Sequence, residues 1–262
     1  MSLAAPSADA AVVITGASSG IGLEIARGLA GRGYPLTLVA RRGDRLRELA
    51  AELRRAHRVA VDVLPLDLSD SVARGELLER LRDRPLGGLV NSAGFGTSGL
   101  FQSLPWDRER DQVILNVLVL TELTHAALPS MITRGSGAVL NLGSTAGFQP
   151  LPGAAVYSAT KAYVQTLSEA VHEGLRGTGV SCTALCPGPV PTEWWEVAGE
   201  QVPGRTAQVS AEVVAEAGIT AMLRGKRVVV PGLVPTLTGI GGRFTPRALL
   251  LPALRRAAAR RR

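Results

Sequence analysis

Residues 11–22 read Ala11-Val12-Val13-Ile14-Thr15-Gly16-Ala17-Ser18-Ser19-Gly20-Ile21-Gly22. The first five are a short apolar run bounded by glycine, which predicts a buried strand. Helical spacing then takes over. Ile21, Ile25 and Leu29 share one face until Gly31 ends the run, predicting a helix over 20–31. Glycines 16, 20 and 22, with Ser18 and Ser19, lie at the junction. A strand-to-helix turn of this composition lets backbone approach a pyrophosphate at the positive end of a helix. Gly16, Ser18, Ser19, Gly20, Ile21 and Gly22 are therefore candidate cofactor-binding residues. In a chain with 30 glycines, their position after the first strand carries the signal, not their number.

The same alternation continues outward. Strands are predicted at Leu36–Ala40, Val59–Leu66, Leu86–Ser92, Gly137–Leu142, Val180–Leu185 and Arg227–Val230. Helices are predicted at Asp44–Ala56, Val72–Leu81 behind an N-cap at Ser69, Trp106–Arg134 with a joint near Asn116, Ala154–Arg176 and Ser210–Leu223, followed by a Pro-punctuated helical tail. Short apolar strands separated by helices require right-handed crossovers and a parallel sheet covered on both faces. The expected fold class is α/β: one doubly wound domain over 1–262, about seven parallel strands, with ligands at the carboxyl ends of the strands. Residues 1–9 read as a flexible N-terminus and 243–262 as a basic tail or helix.

The formal net charge of +7 belongs to that tail. From Arg243 to Arg262 there are seven arginines and no acid; removing them from 29 basic residues leaves 22 against 22 acidic ones. A balanced body offers no basic face for nucleic acid. Cys182 and Cys186 have neither redox nor metal spacing, and His57, His125 and His172 are scattered, so no metal site is expected. The N-terminus lacks a secretory pattern, and Val228–Gly242 is too short and too broken by Pro231 and Pro235 to span a membrane. The expectation is a cytoplasmic protein.

Two further clusters carry chemistry. The second strand ends in Ala40-Arg41-Arg42, where a fold preferring NAD tends to place an acid for the ribose hydroxyls. Guanidinium groups suit a 2′-phosphate, so Arg41 and Arg42 point to NADP(H) in preference to NAD(H). Ser144 follows the fifth strand, while Tyr157 and Lys161 lie four apart on one helix face. Lys161 is the only charged residue between Arg134 and Glu169, and one of only two lysines in the chain. A fixed ammonium beside a phenol is expected to lower its pKa from near 10, making Tyr157 an acid–base near neutrality.

With these residues the sequence resembles the short-chain dehydrogenase/reductase family, a Rossmann-like fold, over nearly its whole length. Thr15-Gly16-x-x-x-Gly20-x-Gly22 matches the family's cofactor turn, and Asp67-Leu68 its adenine-contacting pair. Asn91-Ser92-Ala93-Gly94 matches its Asn-Asn-Ala-Gly with one serine replacement. Asn116 falls at its helix-embedded asparagine, and Ser144, Tyr157 and Lys161 match its Ser…Tyr-x-x-x-Lys core. Pro187, Gly188, Val190 and Thr192 resemble the segment beside the nicotinamide. The resemblance implies that Ser144 and Tyr157 hold a carbonyl oxygen and Tyr157 moves the proton. It implies that Lys161 tunes Tyr157 and holds the nicotinamide ribose, and that Asn116 positions a water for reprotonation.

The expected activity is NADP(H)-dependent reduction of an apolar, bulky or lipid-like ketone or aldehyde. An oxidative alcohol or hydroxysteroid dehydrogenase stands as an alternative, and so does a non-catalytic cofactor-binding sensor or scaffold. Candidate substrate residues are Phe95, Phe148, Gln149 and the neighbours Trp194 and Trp195, read either as a hydrophobic lid or as packing. The long helices 106–134 and 154–176 resemble the family's dimerisation pair, implying a homodimer or homotetramer. The leucines at 249–251 and 254, followed by arginines, read either as weak peripheral membrane contact or as a packed last helix with a solvated end.

Overall fold

A computed structural model describes residues 3–7, 9–199, 208–232, 235–236, 241 and 245–259. Seven parallel strands form one sheet in the order β3-β2-β1-β4-β5-β6-β7. They are β1 (Ala11–Thr15), β2 (Leu36–Val39), β3 (Val61–Leu64), β4 (Leu86–Asn91), β5 (Gly137–Leu142), β6 (Val180–Leu185) and β7 (Val228–Val229). The chain runs outward from β1 in one direction and returns through β4 in the other. The crevice for a ligand therefore opens between the carboxyl ends of β1 and β4, where Thr15 pairs with Asn91.

Side-chain parity along the strands sends alternate residues to opposite faces. Val12 and Ile14 of β1, Leu36 and Leu38 of β2, and Leu140 of β5 pack with α1 (Gly20–Ala30), α2 (Gly43–His57) and a helix at Ala211–Leu223. Val13, Val39, Leu89 and Val139 face the other way, onto α3 (Ser71–Asp83) and the long helical run from Trp106 to Arg134. Both faces of every inner strand are thus covered, which is why these strands read as continuous apolar runs. The long run is composite: α4 (Trp106–Val113), a π-helical segment at Ile114–Val119 and α5 (Leu120–Arg134). The joint expected near Asn116 is this π segment. The run is long and apolar enough to cross a membrane, but Leu123, Ala127 and Met131 are buried in the sheet's own core.

α6 (Ala155–Gly174) follows β5, a five-residue α7 (Trp194–Ala198) follows β6, and α8 (Ala211–Leu223) leads to β7. Ser210 caps α8, its hydroxyl accepting from the Val213 amide at 3.4 Å. The last helix, α9 (Arg247–Ala259), contains Pro252. Arg243, Arg260, Arg261 and Arg262 of the basic tail lie outside the described residues, as do residues 1, 2 and 8.

One local expectation changes. The cap of α3 is Asp70, whose carboxylate accepts from the Val72 amide at 3.0 Å, and not Ser69, which sits one position early. In the N-terminal segment two described residues touch the body. Leu3 is buried in the core, and the Tyr34 hydroxyl donates to the Ala4 carbonyl at 2.9 Å.

Candidate active site

The carboxyl edge of the sheet is held together by one hydroxyl. Thr15 Oγ1 donates to the Val90 carbonyl at 3.3 Å and accepts from the Ser92 and Ala93 amides, each at 3.1 Å. It thereby locks the turn after β1 to the loop after β4. Gly16 sits in this contact with φ +68°, and a Cβ there would stand 2.8 Å from the Ala93 nitrogen. A Cβ on Gly22 would lie 2.5 Å from the Gly16 carbonyl oxygen. Both positions need glycine because backbone meets backbone. Ser19, at the N-cap of α1, makes no side-chain cap bond, so the positive helix end is left free for an anionic ligand.

Arg42 faces that turn. Its Nε and Nη2 lie 3.2 and 3.1 Å from Ser18 Oγ, and Nη2 reaches Ser19 Oγ at 2.7 Å. Arg41 points away: its side chain is 76% exposed, and its nearest acid is Asp67 at 3.9 Å. Of the two arginines read from the sequence, Arg42 is the one built into the glycine turn. Asp67 accepts from the Ser69 amide at 3.0 Å, while Leu68 is buried in the core, leaving backbone as its route to a ligand.

Asn91 is likewise an interior residue. Its Nδ2 donates to Thr124 Oγ1 at 3.0 Å and to Asn141 Oδ1 at 2.9 Å, and Asn141 Nδ2 donates to Ser168 Oγ at 3.0 Å. This buried amide row ties β4 and β5 to α5 and α6 beneath the site. The Asn91 side chain supports the loop that carries Ala93 and Gly94. Asn116 does the same from the π segment. Its Oδ1 accepts from the Phe95 amide at 3.2 Å, and its Nδ2 donates to the Phe95 carbonyl at 2.9 Å and to Thr160 Oγ1 at 3.2 Å. A Cβ on Gly94 would come within 2.8 Å of Asn116 Oδ1.

Ser144 lies in extended backbone at the end of β5 and starts a 3-10 turn at Thr145–Phe148, its hydroxyl accepting from the Ala146 amide at 3.1 Å. That turn presses directly on α6: a Cβ at Gly147 would meet the Lys161 carbonyl carbon at 2.6 Å. Ser144 is thereby set beside Tyr157, close enough to pull the phenol's pKa down. Lys161, one turn further along α6, is 6% exposed, and its Nζ donates to the Leu142 carbonyl at 2.7 Å. The Lys161 Nζ stands 5.8 Å from the centroid of the Tyr157 ring. Phe148 and Gln149 close the 3-10 turn, half-buried.

Over the phenol lies α7. The Trp194 ring is 4.9 Å from that of Tyr157, and Trp195 meets Trp194 edge-on at 5.0 Å while its Nε1 donates to the Val190 carbonyl at 2.8 Å. Gly96 admits Trp194, since a Cβ there would lie 2.3 Å from the indole. The segment 187–192 leads back across the site: the Pro187 carbonyl accepts from the Thr145 amide at 2.9 Å, and Thr192 packs against Gly20. Trp194 fills the cleft above Tyr157. An open groove of about 610 Å³ lies between α8 and β7, and none of the site's residues lines it.

This cover reverses the electrostatics expected from sequence. Burial pushes the Tyr157 phenol up to about 12, with the neighbouring Ser144 pulling the other way. Burial also pushes the Lys161 ammonium down to about 8. The ammonium does not lower the phenol, because Nζ is engaged with the Leu142 carbonyl and burial dominates at the phenol. Tyr157 is a protonated donor at neutral pH. Stability should follow. Between pH 8 and 10.5 the unfolded chain holds the Lys161 proton that the folded chain loses, so stability rises with pH. From pH 9 burial keeps Cys182 and Cys186 protonated, and from pH 10 Tyr157 too, toward about 12 in each case, while the unfolded chain ionises; stability then falls. Urea midpoints should therefore peak near pH 9, and a decline from pH 8 to 9 would contradict these assignments.

Sequence reasoning missed the Thr15 hydroxyl, the Leu142 carbonyl and Thr160, whose roles depend on long-range register. It also missed Glu193 and Arg45, which pair at 2.6 Å.

The chain as a whole is similar to known proteins. The family profile described as short chain dehydrogenase matches residues 10–203. Sulfoacetaldehyde reductase 2 of Chromohalobacter salexigens is 38% identical over 216 residues, covering 78% of this chain and 85% of that protein. A short-chain dehydrogenase from Sphingobium yanoikuyae, solved in complex with NADPH, superposes with TM-score 0.83 at 34% identity, covering 96% of this chain and 95% of that one. A bulky-bulky ketone specific alcohol dehydrogenase from Comamonas testosteroni gives TM-score 0.77 at 29% identity, covering 92% and 98%. The chain belongs to the short-chain dehydrogenase family and is an oxidoreductase of that class.

Proposed function

We propose that the protein reduces a carbonyl compound to an alcohol with NADP(H), Tyr157 giving the proton. The observation that carries this reading is the placement of Tyr157 beside Ser144 and one helical turn from the buried Lys161, at the ligand-facing edge of the sheet. NADP(H), when bound, supplies the hydride. Ser144 and Tyr157 then present two donors where negative charge develops on the substrate oxygen. Lys161 is within reach of Gly94 and the phenol, a position from which it would hold the nicotinamide ribose. Gly16, Gly20 and Gly22 with the free end of α1 suit the pyrophosphate, and Arg42 the 2′-phosphate. Asn116 acts through Phe95 and Thr160 to fix the loop under the nicotinamide.

The apolar cover from Trp194 and Phe95 favours a bulky, apolar ketone or aldehyde. A small anionic aldehyde is a second reading, favoured by Arg108, whose guanidinium lies 4.5 Å over the Phe95 ring at the mouth of the site. NADPH consumption against a panel of bulky ketones, alkyl aldehydes and sulfonated or carboxylated aldehydes tests both. Turnover of the apolar compounds supports the first reading, and turnover of the acids alone supports the second.

The Arg42 assignment has its own test. Arg42→Ala should weaken NADPH binding roughly 10- to 100-fold, the effect of losing a charge-assisted hydrogen bond, and leave NADH binding unchanged. Equal losses for both cofactors in calorimetry would remove Arg42 from the phosphate site. A cytoplasmic homodimer or homotetramer completes the reading. Its support is the set of exposed apolar side chains Val113, Leu118, Ile132 and Tyr163 on the long helices.

A further inference from the structure

The carboxylate of Glu193 stands where an anion would be drawn. Its Oε2 meets Arg42 Nη1 at 2.7 Å and its Oε1 meets Arg45 Nη1 at 2.6 Å, one oxygen on each guanidinium. Both arginines sit at the N-terminal end of α2, where the helix dipole already disfavours cations. The one acid in that first turn, Asp44, pairs with Arg47 at 2.6 Å. Two guanidiniums, a positive helix end and the Ser18 and Ser19 hydroxyls thus converge on one seat, and Glu193 occupies it. The two arginines hold the Glu193 carboxyl below the usual carboxylate range. The seat is open to solvent, since the Glu193 side chain is 42% exposed.

Glu193 is also the residue that immediately precedes Trp194. The next side chain covers Tyr157 at 4.9 Å, and the one after it is hydrogen-bonded to Val190. Glu193 is the N-cap of α7, so the ion pairs anchor the start of the helix that carries the indole over the phenol.

We propose that Glu193 is a displaceable counter-ion that tunes cofactor selectivity. The 2′-phosphate of an adenine nucleotide exchanges for its carboxylate on Arg42 and Arg45, and the exchange releases Trp194 from Tyr157. This rests on the reading that the cofactor is NADP(H). A phosphate monoester carries up to two charges and three acceptor oxygens against the carboxylate's one charge and two oxygens. It therefore wins the forked donors, and like-charge repulsion expels the carboxylate. A nucleotide with a free 2′-hydroxyl lacks the charge to do so and leaves the cover in place.

The test uses nucleotides without a nicotinamide ring, so the readout is binding and not turnover. Adenosine 2′,5′-bisphosphate and 5′-AMP are titrated calorimetrically into the protein and into Glu193→Gln. Tryptophan fluorescence is followed in a Trp106→Phe background, which leaves only the α7 pair. The bisphosphate should outbind AMP and shift the fluorescence of the parent, whereas AMP should not. Glu193→Gln should bind the bisphosphate three- to tenfold more tightly and AMP equally, with its ligand-free fluorescence already shifted. If the bisphosphate outbinds AMP but Glu193→Gln binds it no tighter than the parent, the exchange is refuted and the NADP(H) reading stands. If the bisphosphate binds no better than AMP in either protein, both fall together.

Discussion

Tyr157→Phe should lower kcat/KM for carbonyl reduction by roughly 10²- to 10⁴-fold, the range for loss of a positioned general acid. That corresponds to about 3–5 kcal/mol of transition-state stabilisation. The substitution removes a single oxygen. The ring keeps its place under Trp194 and beside Lys161, so the fold and the binding of NADPH should be unaffected. Ser144 would remain as the one donor on the substrate oxygen and has no proton to give of suitable acidity. The loss should therefore appear in kcat, with KM for the cofactor unchanged. Removing the hydroxyl should also abolish the decline in stability that Tyr157 contributes between pH 10 and 12. A variant retaining more than a tenth of the parent rate would take Tyr157 out of the proton-transfer step.

Gly16→Val should be the most damaging change to the fold near the site. At φ +68° a β-branched residue is strained whatever its surroundings, at a cost of about 1–3 kcal/mol. Its Cβ would also collide with the Ser92–Ala93 backbone, which is held from the other side by Thr15 and cannot retreat. Overpacking of this kind adds roughly 1–3 kcal/mol. The sum is a large fraction of what holds an ordinary domain together, and cofactor binding should be lost with it. Differential scanning calorimetry alongside NADPH titration checks both halves. A variant within about 0.5 kcal/mol of the parent that still binds NADPH would show that the β1–α1 turn does not need its glycine.

The legible parts of this molecule are those governed by local pattern. The runs 11–15, 137–142 and 180–185 form strands with the limits their sequence predicts, because both faces of each strand are buried and apolarity stops where burial stops. The helix joint at Asn116 was readable from the polar residue in an apolar run. The third strand closed sooner than its apolar composition, at Leu64, since Pro65 lacks an amide for the ladder. Ser69 and Asp70 are both competent caps, and only the geometry of the preceding turn chooses between them.

The site was legible as a set of residues but not in its electrostatics. Ser144, Tyr157 and Lys161 converge as their spacing requires. Yet burial raises the Tyr157 phenol, and one of the groups packed on its ring is Trp194, 37 positions away in sequence and brought there by α7. Arg41 and Arg42 are equivalent on paper; rotation at the start of α2 turns one to the glycine turn and the other to solvent. Glu193 carries no sequence signal at all, because its partners Arg42 and Arg45 lie about 150 residues earlier.

The central claim is that hydride from NADPH and a proton from Tyr157 meet on one substrate carbonyl. The direct measurement uses NADPH carrying deuterium at its transferring position, a carbonyl compound that the panel shows to be turned over, and mass spectrometry of the alcohol formed. The parent protein should deliver one deuterium to the carbinol carbon, and Tyr157→Phe, binding the cofactor equally well, should deliver it at least a hundredfold more slowly. Alcohol without the label, or labelled alcohol formed equally fast by both proteins, would contradict the account.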